Sequence, residues 1–292
     1  MTGVGTMSLP EAYRARVEGV LGSPLQKSQP LSGGCVGEVY GVTAGGEEFV
    51  VKVESPATDL LAIEGRMLRH LAEQSPLPAP DPVLFEPGLL VMPRFEGDHH
   101  FSDDAERHAA DLLAAMHAQP APHFGFEQDT VIGGLPQPNP RYERWADFFA
   151  EARLREMAGQ AREAGRLEDR LYDRIDRFAA DADQWFPEPE HPALVHGDAW
   201  DNNILASGSR ITGFIDPALY WGHPEVELAF ITMFRTFGEP FFRRYQEHRP
   251  IDPDFFEVRR PLYNLYPLLV HVRLFGGAYR SSVERTLSRF GY

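Results

Sequence analysis

Short strand-like runs of apolar residues dominate the first third of the chain, and apolar residues at helical spacing dominate the rest. Residues 11–22 are predicted to form a short helix, and strand-like runs begin near Gln29. After a Gly45-Gly46 hairpin turn, Glu47 to Glu54 has the dense apolar centre of a strand. Residues 57–73 place apolar side chains three or four positions apart, which predicts one long helix in this strand-rich part.

A proline-rich connector and two short strands, Val83 to Phe85 and Leu89 to Met92, close this part of the chain. The remainder is predicted to be mostly helical, at 103–118, 141–164, 167–184, 224–236, 239–247, 253–272 and 275–290. Strand-like segments interrupt it only within 193–216, and the segment Gln119 to Pro140 reads as a long irregular loop of the kind that is often functional.

Strands first and helices later predict an α+β protein of two lobes. We expect a small β-rich lobe over residues 1–95 and a larger, mainly helical lobe over residues 96–292, with the boundary near Pro93 to Gly97.

Composition narrows the classes of function. The 292 residues include 43% hydrophobic and 24% charged side chains, an ordinary globular balance. A net charge of −15 argues against nonspecific binding to nucleic acid or to an anionic membrane. Cys35 is the single cysteine, so no internal disulfide forms, which fits a reducing compartment. Since Met1 to Pro10 lacks a signal-peptide pattern, we expect a cytoplasmic protein without a bilayer-spanning run.

One stretch carries the clearest chemistry: His196-Gly197-Asp198-Ala199-Trp200-Asp201-Asn202-Asn203, followed by Ile215-Asp216-Pro217. Each polar residue alone would suit a turn, but this spacing between strand-like segments suits phosphoryl transfer. Asp198 is predicted to accept the proton of an attacking hydroxyl. Asn203 and Asp216 are predicted to hold Mg²⁺, which prefers hard oxygen ligands. His196 is expected to be a scaffold residue of this loop.

A glycine-rich segment, Ser32 to Tyr40, approaches the pattern G-x-G-x-x-G-x-V, with serine in place of the first glycine. Glycines also mark any tight hairpin, but backbone N–H groups in such a loop can approach phosphate oxygens closely. We therefore predict nucleotide contacts from Gly33, Gly34, Cys35 and Gly37. Cys35 either fills the turn or is a redox-sensitive thiol.

Lys52 lies within an apolar strand, where an unpaired ammonium would be costly. It either faces water from an edge strand or binds nucleotide phosphates while paired with a carboxylate. Glu64, within the predicted helix, is the favoured partner, as in the lysine–glutamate pair of kinases. Glu54 is the fallback, although in a strand it lies too near Lys52 to bridge well.

Taken together, these residues resemble the fructosamine kinase (ketosamine-3-kinase) family, whose protein-kinase-like fold is shared with aminoglycoside phosphotransferases and choline kinases. The resemblance runs from about Leu31 to the C-terminus. Its motifs are Gly33-Gly34-Cys35, Phe124-Gly125-Phe126, Leu135 to Asn139, Trp145 to Leu154, His196 to Trp200, Ile215 to His223, Leu262 to Tyr266 and Leu274 to Gly277. Ala199, Asn202 and Ile215 depart from the usual Leu, Gly and Phe, but no residue with a chemical role is lost.

The resemblance implies ATP-dependent phosphorylation of the sugar 3-hydroxyl of ketoamines, with fructosamine, ribulosamine or erythrulosamine adducts as acceptors. It also implies a protein deglycation activity. The segment containing Met92, Arg94 and Phe95 would be the interlobe connector that meets adenine. Gln137 and Asn139 would donate hydrogen bonds to the substrate from a closing loop.

Trp200, Tyr220 and Trp221 flank the two aspartates, and they would either stack on a sugar or pack in the core. Glu225 and Glu227 are expected to anchor the N-terminus of the following helix.

Alternatives remain at this stage. The same fold could act on an aminoglycoside, choline or homoserine, or the chain could be an inactive kinase-like binding module. The intact Lys52, Asp198, Asn203 and Asp216 disfavour the second alternative. Small-molecule ketoamines or glycated protein lysines are the expected partners, and the expected state is a monomer or weak dimer.

Overall fold

The computed structural model describes residues 8–31 and 37–292. Its N-terminal part is built on an antiparallel sheet of five strands in the order β1-β2-β3-β5-β4. The strands are β1 (Leu25–Pro30), β2 (Glu38–Ala44), β3 (Glu47–Val53), β4 (Leu84–Glu86) and β5 (Leu89–Pro93). Gly45 and Gly46, with φ of 61° and 88°, form the predicted two-residue turn between β2 and β3.

Two helices, α1 (Glu11–Leu21) and α2 (Leu60–Gln74), cover opposite faces of this sheet. Val17 of α1 packs with Val51 of β3, whereas Leu61 and Leu68 of α2 pack with Leu90 of β5. Because successive side chains of a strand point to opposite faces, Lys52 lies on the α2 side of β3. The register of one strand thus directs Lys52 toward the helix that carries Glu64.

The C-terminal part contains ten α-helices within the described residues. They are α3 (Asp103–His117), α4 (Trp145–Phe148), α5 (Glu156–Glu163), α6 (Asp169–Ala180), α7 (Ala182–Trp185), α8 (Pro224–Phe234), α9 (Glu239–His248), α10 (Arg260–Tyr263), α11 (Leu265–Phe275) and α12 (Ala278–Arg289). A π-helical segment, Phe149–Arg155, joins α4 to α5, and a second, Phe255–Arg259, precedes α10. The predicted helix over 141–164 is therefore one helical run that begins at Trp145 and changes its hydrogen-bond pattern midway.

Three two-stranded antiparallel ladders lie among these helices: β6-β7, β8-β11 and β9-β10. Their strands are β6 (Thr130–Ile132), β7 (Leu135–Gln137), β8 (Ala193–Val195), β9 (Ile204–Ser207), β10 (Arg210–Phe214) and β11 (Tyr220–Gly222). The prediction of an irregular segment from Gln119 to Pro140 was incomplete, since it contains the β6-β7 hairpin, and β11 was not predicted. Strands of three residues are too short for alternation to show in the sequence.

The main hydrophobic core lies in the helical part and contains the fully buried Trp145, Phe148, Phe149, Phe178 and Phe214. A small antiparallel sheet followed by a larger helical part confirms the predicted α+β fold class. Across the two ranges that the structure describes, no helix combines the length and apolar character needed to cross a membrane.

Candidate active site

Lys52 pairs with two carboxylates, Glu64 of α2 and Asp216 of the helical part, and the second pair joins the sheet to the helical part. Its Nζ lies 2.7 Å from Glu64 Oε1 and 2.5 Å from Asp216 Oδ1. Burial alone would lower the pKa of Lys52, but the charges of Asp216 and Glu64 outweigh it and raise that pKa. Lys52 is therefore a permanently charged ammonium, and the structure contains the lysine–glutamate pair that the sequence predicted.

Asp198 lies in the loop between β8 and β9, where Asn203 fixes it. Asn203 Nδ2 donates to the Asp198 backbone oxygen at 3.0 Å and to Asp198 Oδ2 at 2.8 Å. Burial, with a smaller contribution from the charge of Asp216, raises the pKa of Asp198 to about 7, against the opposing bond from Asn203. A carboxylate in this environment is a far stronger base than one in water.

Asp216 follows β10 in an unusual backbone conformation. Its φ is 52°, in the left-handed region that few residues other than glycine adopt. The segment around it is attached to the Asp198 loop, since Ile215 N donates to Asn203 O at 2.9 Å and Ala218 N donates to His196 O at 2.8 Å. Backbone strain held in place by its surroundings is typical of functional sites.

Glu227 of α8 binds the Asp198 loop through two backbone amides. This carboxylate is only 1% exposed, and it accepts the backbone N–H of His196 at 2.7 Å and of Gly197 at 3.0 Å. His117 Nε2 lies 3.4 Å away. Burial would raise the pKa of Glu227, but its contacts with His117 and His196 lower it. Glu227 is therefore an ionised acceptor for two loop amides.

The sequence prediction for Glu227, an anchor of a helix N-terminus, was thus incomplete, because the carboxylate bonds to a loop about 30 residues earlier. Glu225 differs: it forms a buried pair with Arg259, with two N–O distances of 2.7 Å. Gly197 is also required here, because its φ is 79° and a Cβ would lie 2.2 Å from Ala218 O. His196 is buried, and its Nδ1 accepts from Asp198 N at 3.3 Å, as expected of a scaffold residue.

The oxygen donors near Asp198 fit a divalent cation. Because Asn203 uses its NH₂ group internally, its Oδ1 is left as a ligand, and Asp216 keeps Oδ2 when Oδ1 accepts from Lys52. Over residues 8–31 and 37–292, no group of three or more His, Cys, Asp and Glu side chains is placed to hold a metal. A cation at Asn203 and Asp216 would therefore share its shell with phosphate oxygens and water, as Mg²⁺ commonly does.

The predicted nucleotide-binding residues are only partly described. Gly33, Gly34 and Cys35 lie outside the described residues. Gly37 has a φ of 68°, and a Cβ there would lie 2.3 Å from Val53 O, so the approach of β2 to β3 requires glycine.

In the predicted connector, Met92 is buried in β5, while Arg94 is exposed and its N donates to Glu48 O at 3.0 Å. Phe95 packs against β10, where a Cβ on Gly213 would lie 2.7 Å from the Phe95 ring.

The three aromatic residues predicted to bind substrate have different surroundings. Trp200 lies beside Asp198, to whose backbone oxygen its N donates at 3.1 Å, and its ring contacts Phe234. Trp221 is half-buried and makes an edge contact with His70 of α2. Tyr220 is buried in the core, with its ring 4.0 Å from the Arg153 guanidinium. Core packing therefore accounts for Tyr220, whereas Trp200 lines the region near Asp198.

Gln137 and Asn139 are buried, and their amides bond within the protein. Gln137 Nε2 donates to Thr130 Oγ1 at 2.8 Å and to Ala218 O at 3.0 Å, and its Oε1 accepts from Tyr266. Asn139 Nδ2 donates to Thr130 Oγ1 at 2.7 Å. Gln137 thus braces the backbone at Ala218, whereas Asn139 is bonded to Thr130, and neither amide is offered to a substrate in this conformation.

Arg153, in the first π-helical segment, completes this buried polar group, and sequence reasoning missed it. The side chain is fully buried; its NH2 donates to Asn139 Oδ1 at 2.6 Å and its NH1 to Pro138 O at 2.9 Å. Aromatic rings surround the guanidinium, and no carboxylate pairs with it among the residues described. The only sequence signal was its position inside the Trp145 to Leu154 motif.

The fold and these side chains define a phosphotransferase of kinase-like fold that acts on an alcohol group. A family model described as fructosamine kinase matches residues 11–290, and the chain belongs to the fructosamine kinase family. Membership implies the use of ATP.

Similarity to individual proteins supports the same family and fold. The chain is 32% identical over 275 residues to a Synechocystis protein provisionally named ketoamine kinase, covering 91% of this chain and 90% of that protein. It is similar to a crystal structure from Thermobifida fusca, provisionally named fructosamine-3-kinase, with a TM-score of 0.85, 30% identity and coverage of 96% and 98%. An aminoglycoside phosphotransferase crystallised with AMP-PNP and hygromycin B shares the fold at a TM-score of 0.66 and 21% identity, covering 96% and 99%.

Proposed function

We propose that the protein transfers the γ-phosphoryl group of ATP to the sugar 3-hydroxyl of ketoamines, with Asp198 as the general base. The main support is the Asp198 carboxylate itself, which Asn203 holds at 2.8 Å and whose pKa burial raises to about 7. In this step the hydroxyl oxygen forms a bond to phosphorus, the bond from the γ-phosphorus to the bridging oxygen breaks, and Asp198 takes the hydroxyl proton. ADP leaves with the bridging oxygen.

The Lys52 ammonium, held by Glu64, would neutralise phosphate oxygens of ATP. Further phosphate contacts would come from the glycine-rich segment, and adenine contacts from the connector: Gly33, Gly34, Cys35, Gly37, Met92, Arg94 and Phe95. Asn203 and Asp216 would hold Mg²⁺, which when bound offsets the charge of the phosphates.

Trp200 would stack against the sugar, since it lies beside Asp198, and Trp221 would border the same acceptor region. Tyr220, Gln137 and Asn139 would influence substrate binding indirectly, through the packing and hydrogen bonds that they make inside the protein. Fructosamine, ribulosamine or erythrulosamine adducts are the proposed acceptors, carried by small amines or by protein lysines. Phosphorylation would labilise these adducts, which gives a cytoplasmic deglycation activity for a monomeric or weakly dimeric enzyme.

The test measures ADP release in a coupled assay, with fructose, ribulose and erythrulose adducts of one amine as acceptors, and locates the new phosphate by NMR. We expect turnover of at least one adduct, with phosphate at the 3-position, and none of the matching 3-deoxy adduct. Removal of divalent cations should abolish turnover, and added Mg²⁺ should restore it. A protein that binds ATP but turns over no adduct would refute the proposal.

A further inference from the structure

A row of aromatic side chains leads from Asp198 across the surface of the helical part. The Trp200 ring centroid lies 5.2 Å from that of Phe234, which lies 5.5 Å from that of His271. His271 in turn lies 4.8 Å from Tyr279 and 5.8 Å from Phe275. We call Trp200, Phe234, His271, Phe275 and Tyr279 the aromatic row.

Separate elements bring this aromatic row together. Phe234 is the last residue of α8, and His271 and Phe275 lie one turn apart near the end of α11. Gly276 and Gly277, with φ of 64° and 61°, then reverse the chain so that Tyr279 of α12 returns to His271. Most members are half-buried, but Phe275 is 60% exposed, one of two exposed large hydrophobic side chains in the described ranges. The aromatic row therefore ends in a ring that faces solvent.

His271 adds a polar group of defined character. Its Nδ1 lies 2.7 Å from the Pro267 backbone oxygen, which can only accept, so Nδ1 carries the hydrogen. Burial lowers the pKa of His271, so the ring is neutral and Nε2 is a hydrogen-bond acceptor. Aromatic faces beside a neutral acceptor suit a protonated amine and the hydrocarbon arm attached to it.

We propose that the aromatic row binds the amine carrier of the ketoamine, meaning the ammonium and its hydrocarbon arm, while the sugar lies at Asp198. This inference rests on the proposed function, since it assigns the other half of the same acceptor. The position of the aromatic row supports this occupant, because one end of it, Trp200, lies two residues from Asp198, to whose backbone oxygen its backbone N donates.

The test uses two adducts of one sugar, one with ethylamine and one with 4-phenylbutylamine, which carry the same ammonium and differ in the arm. We expect kcat/KM of the wild-type protein to be about tenfold higher for the phenylbutyl adduct, because only its arm is long enough to reach Phe275 at the far end of the aromatic row. Phe275→Ser should reduce this ratio to within about twofold, and Phe275→Tyr should restore it. Val83→Ser is the matched control, since Val83 is the other exposed large hydrophobic side chain and lies before β4, and it should keep the wild-type ratio.

A binding experiment separates failure of this inference from failure of the proposed function. Calorimetric titration with the 3-deoxy forms of both adducts needs no turnover, and it should show the same tenfold preference and its loss in Phe275→Ser. If neither adduct is phosphorylated but this preference holds, the proposed reaction fails and the carrier site stands. Equal affinity for both arms, or a preference that Phe275→Ser leaves intact, would overturn the inference. Dimerisation of the wild-type protein that Phe275→Ser abolishes, without a change in the preference, would assign Phe275 to contact between copies and overturn it as well.

Discussion

Replacement of Glu227 by glutamine tests whether this carboxylate holds the loop that carries Asp198 in position. The change keeps the shape of the side chain, but it removes the charge and turns one acceptor oxygen into a donor. In the structure both carboxylate oxygens accept backbone amides, at 2.7 Å from His196 N and 3.0 Å from Gly197 N. Glutamine can satisfy only one of them, so the other amide is left unpaired or the loop moves.

The magnitude follows from these two bonds. A hydrogen bond to a charged group contributes roughly 1.5–3 kcal/mol, and an unsatisfied buried amide costs roughly 1–3 kcal/mol more. Glu227→Gln should therefore lower the free energy of unfolding by about 3–5 kcal/mol. Because Asp198 comes directly after the two amides, a displacement of the loop by about 1 Å should lower kcat by about 10²-fold.

Urea denaturation measures the free energy of unfolding, and ADP release at saturating ATP and acceptor measures kcat. Glu225→Gln is the matched control, because Glu225 is also buried on α8 but pairs with Arg259 and does not contact the loop. We expect the control to lose stability while kcat stays within about threefold of wild type. If Glu227→Gln also keeps kcat within that range, the loop is positioned by other contacts and the reasoning is refuted.

Three further changes probe the same region. Asp198→Asn should lower kcat by about 10²–10⁴ with little change in the KM for ATP, and an unchanged kcat would exclude Asp198 as the base. Lys52→Met leaves the Glu64 carboxylate buried without its cation, so the free energy of unfolding measured by urea denaturation should fall by about 3–5 kcal/mol. The double variant that also carries Glu64→Gln should recover part of that loss. Burial lowers the pKa of His223 to about 3, below the 6.5 of an unfolded chain, so stability is full above pH 6.5 and falls as pH drops toward 3. His223→Asn should reduce that acid slope by about 1.4 kcal/mol per pH unit, whereas replacement of the exposed His100 should not; equal slopes in all three proteins would contradict this assignment.

The predictions that needed only local pattern agree with the structure. Helical spacing predicted α2 because one face of it packs on the sheet, and the dense apolar centre of β3 made the charged Lys52 stand out from its neighbours. Asp198 and Asn203 are five residues apart in one loop, so their hydrogen bond is a short-range consequence of the motif. Lys52 was paired with Glu64 by analogy with the lysine–glutamate pair of kinases, and the pair forms because α2 covers the sheet face on which Lys52 lies.

Contacts between distant segments could not be predicted in this way. Asp216 reaches Lys52 across 164 residues, and the sequence treated them as separate ligands of the nucleotide and the metal. Glu227 lies at a helix N-terminus, where an acidic residue needs no other explanation, so nothing local indicated that it binds loop amides. The β6-β7 hairpin was missed because each of its strands has only three residues.

The residues assigned to substrate show most clearly where residue type is an insufficient guide. The sequence of a loop with Gln137 and Asn139 is the same whether these amides face a ligand or the interior. Asn139 faces the interior because it accepts a hydrogen bond from the buried Arg153, which lies more than ten residues later in the chain. A fully buried guanidinium without a carboxylate must be solvated by carbonyl oxygens, amides and ring faces. The Arg153 guanidinium donates to Asn139 and Pro138 and lies on the Tyr220 ring. Gln137 belongs to the same polar group and donates to Ala218 O. The backbone N of Ala218 in turn donates to His196 O. Gln137, which sequence reasoning gave to the substrate, therefore bonds instead to the backbone that joins Asp216 to the Asp198 loop, and Asn139 bonds to Arg153.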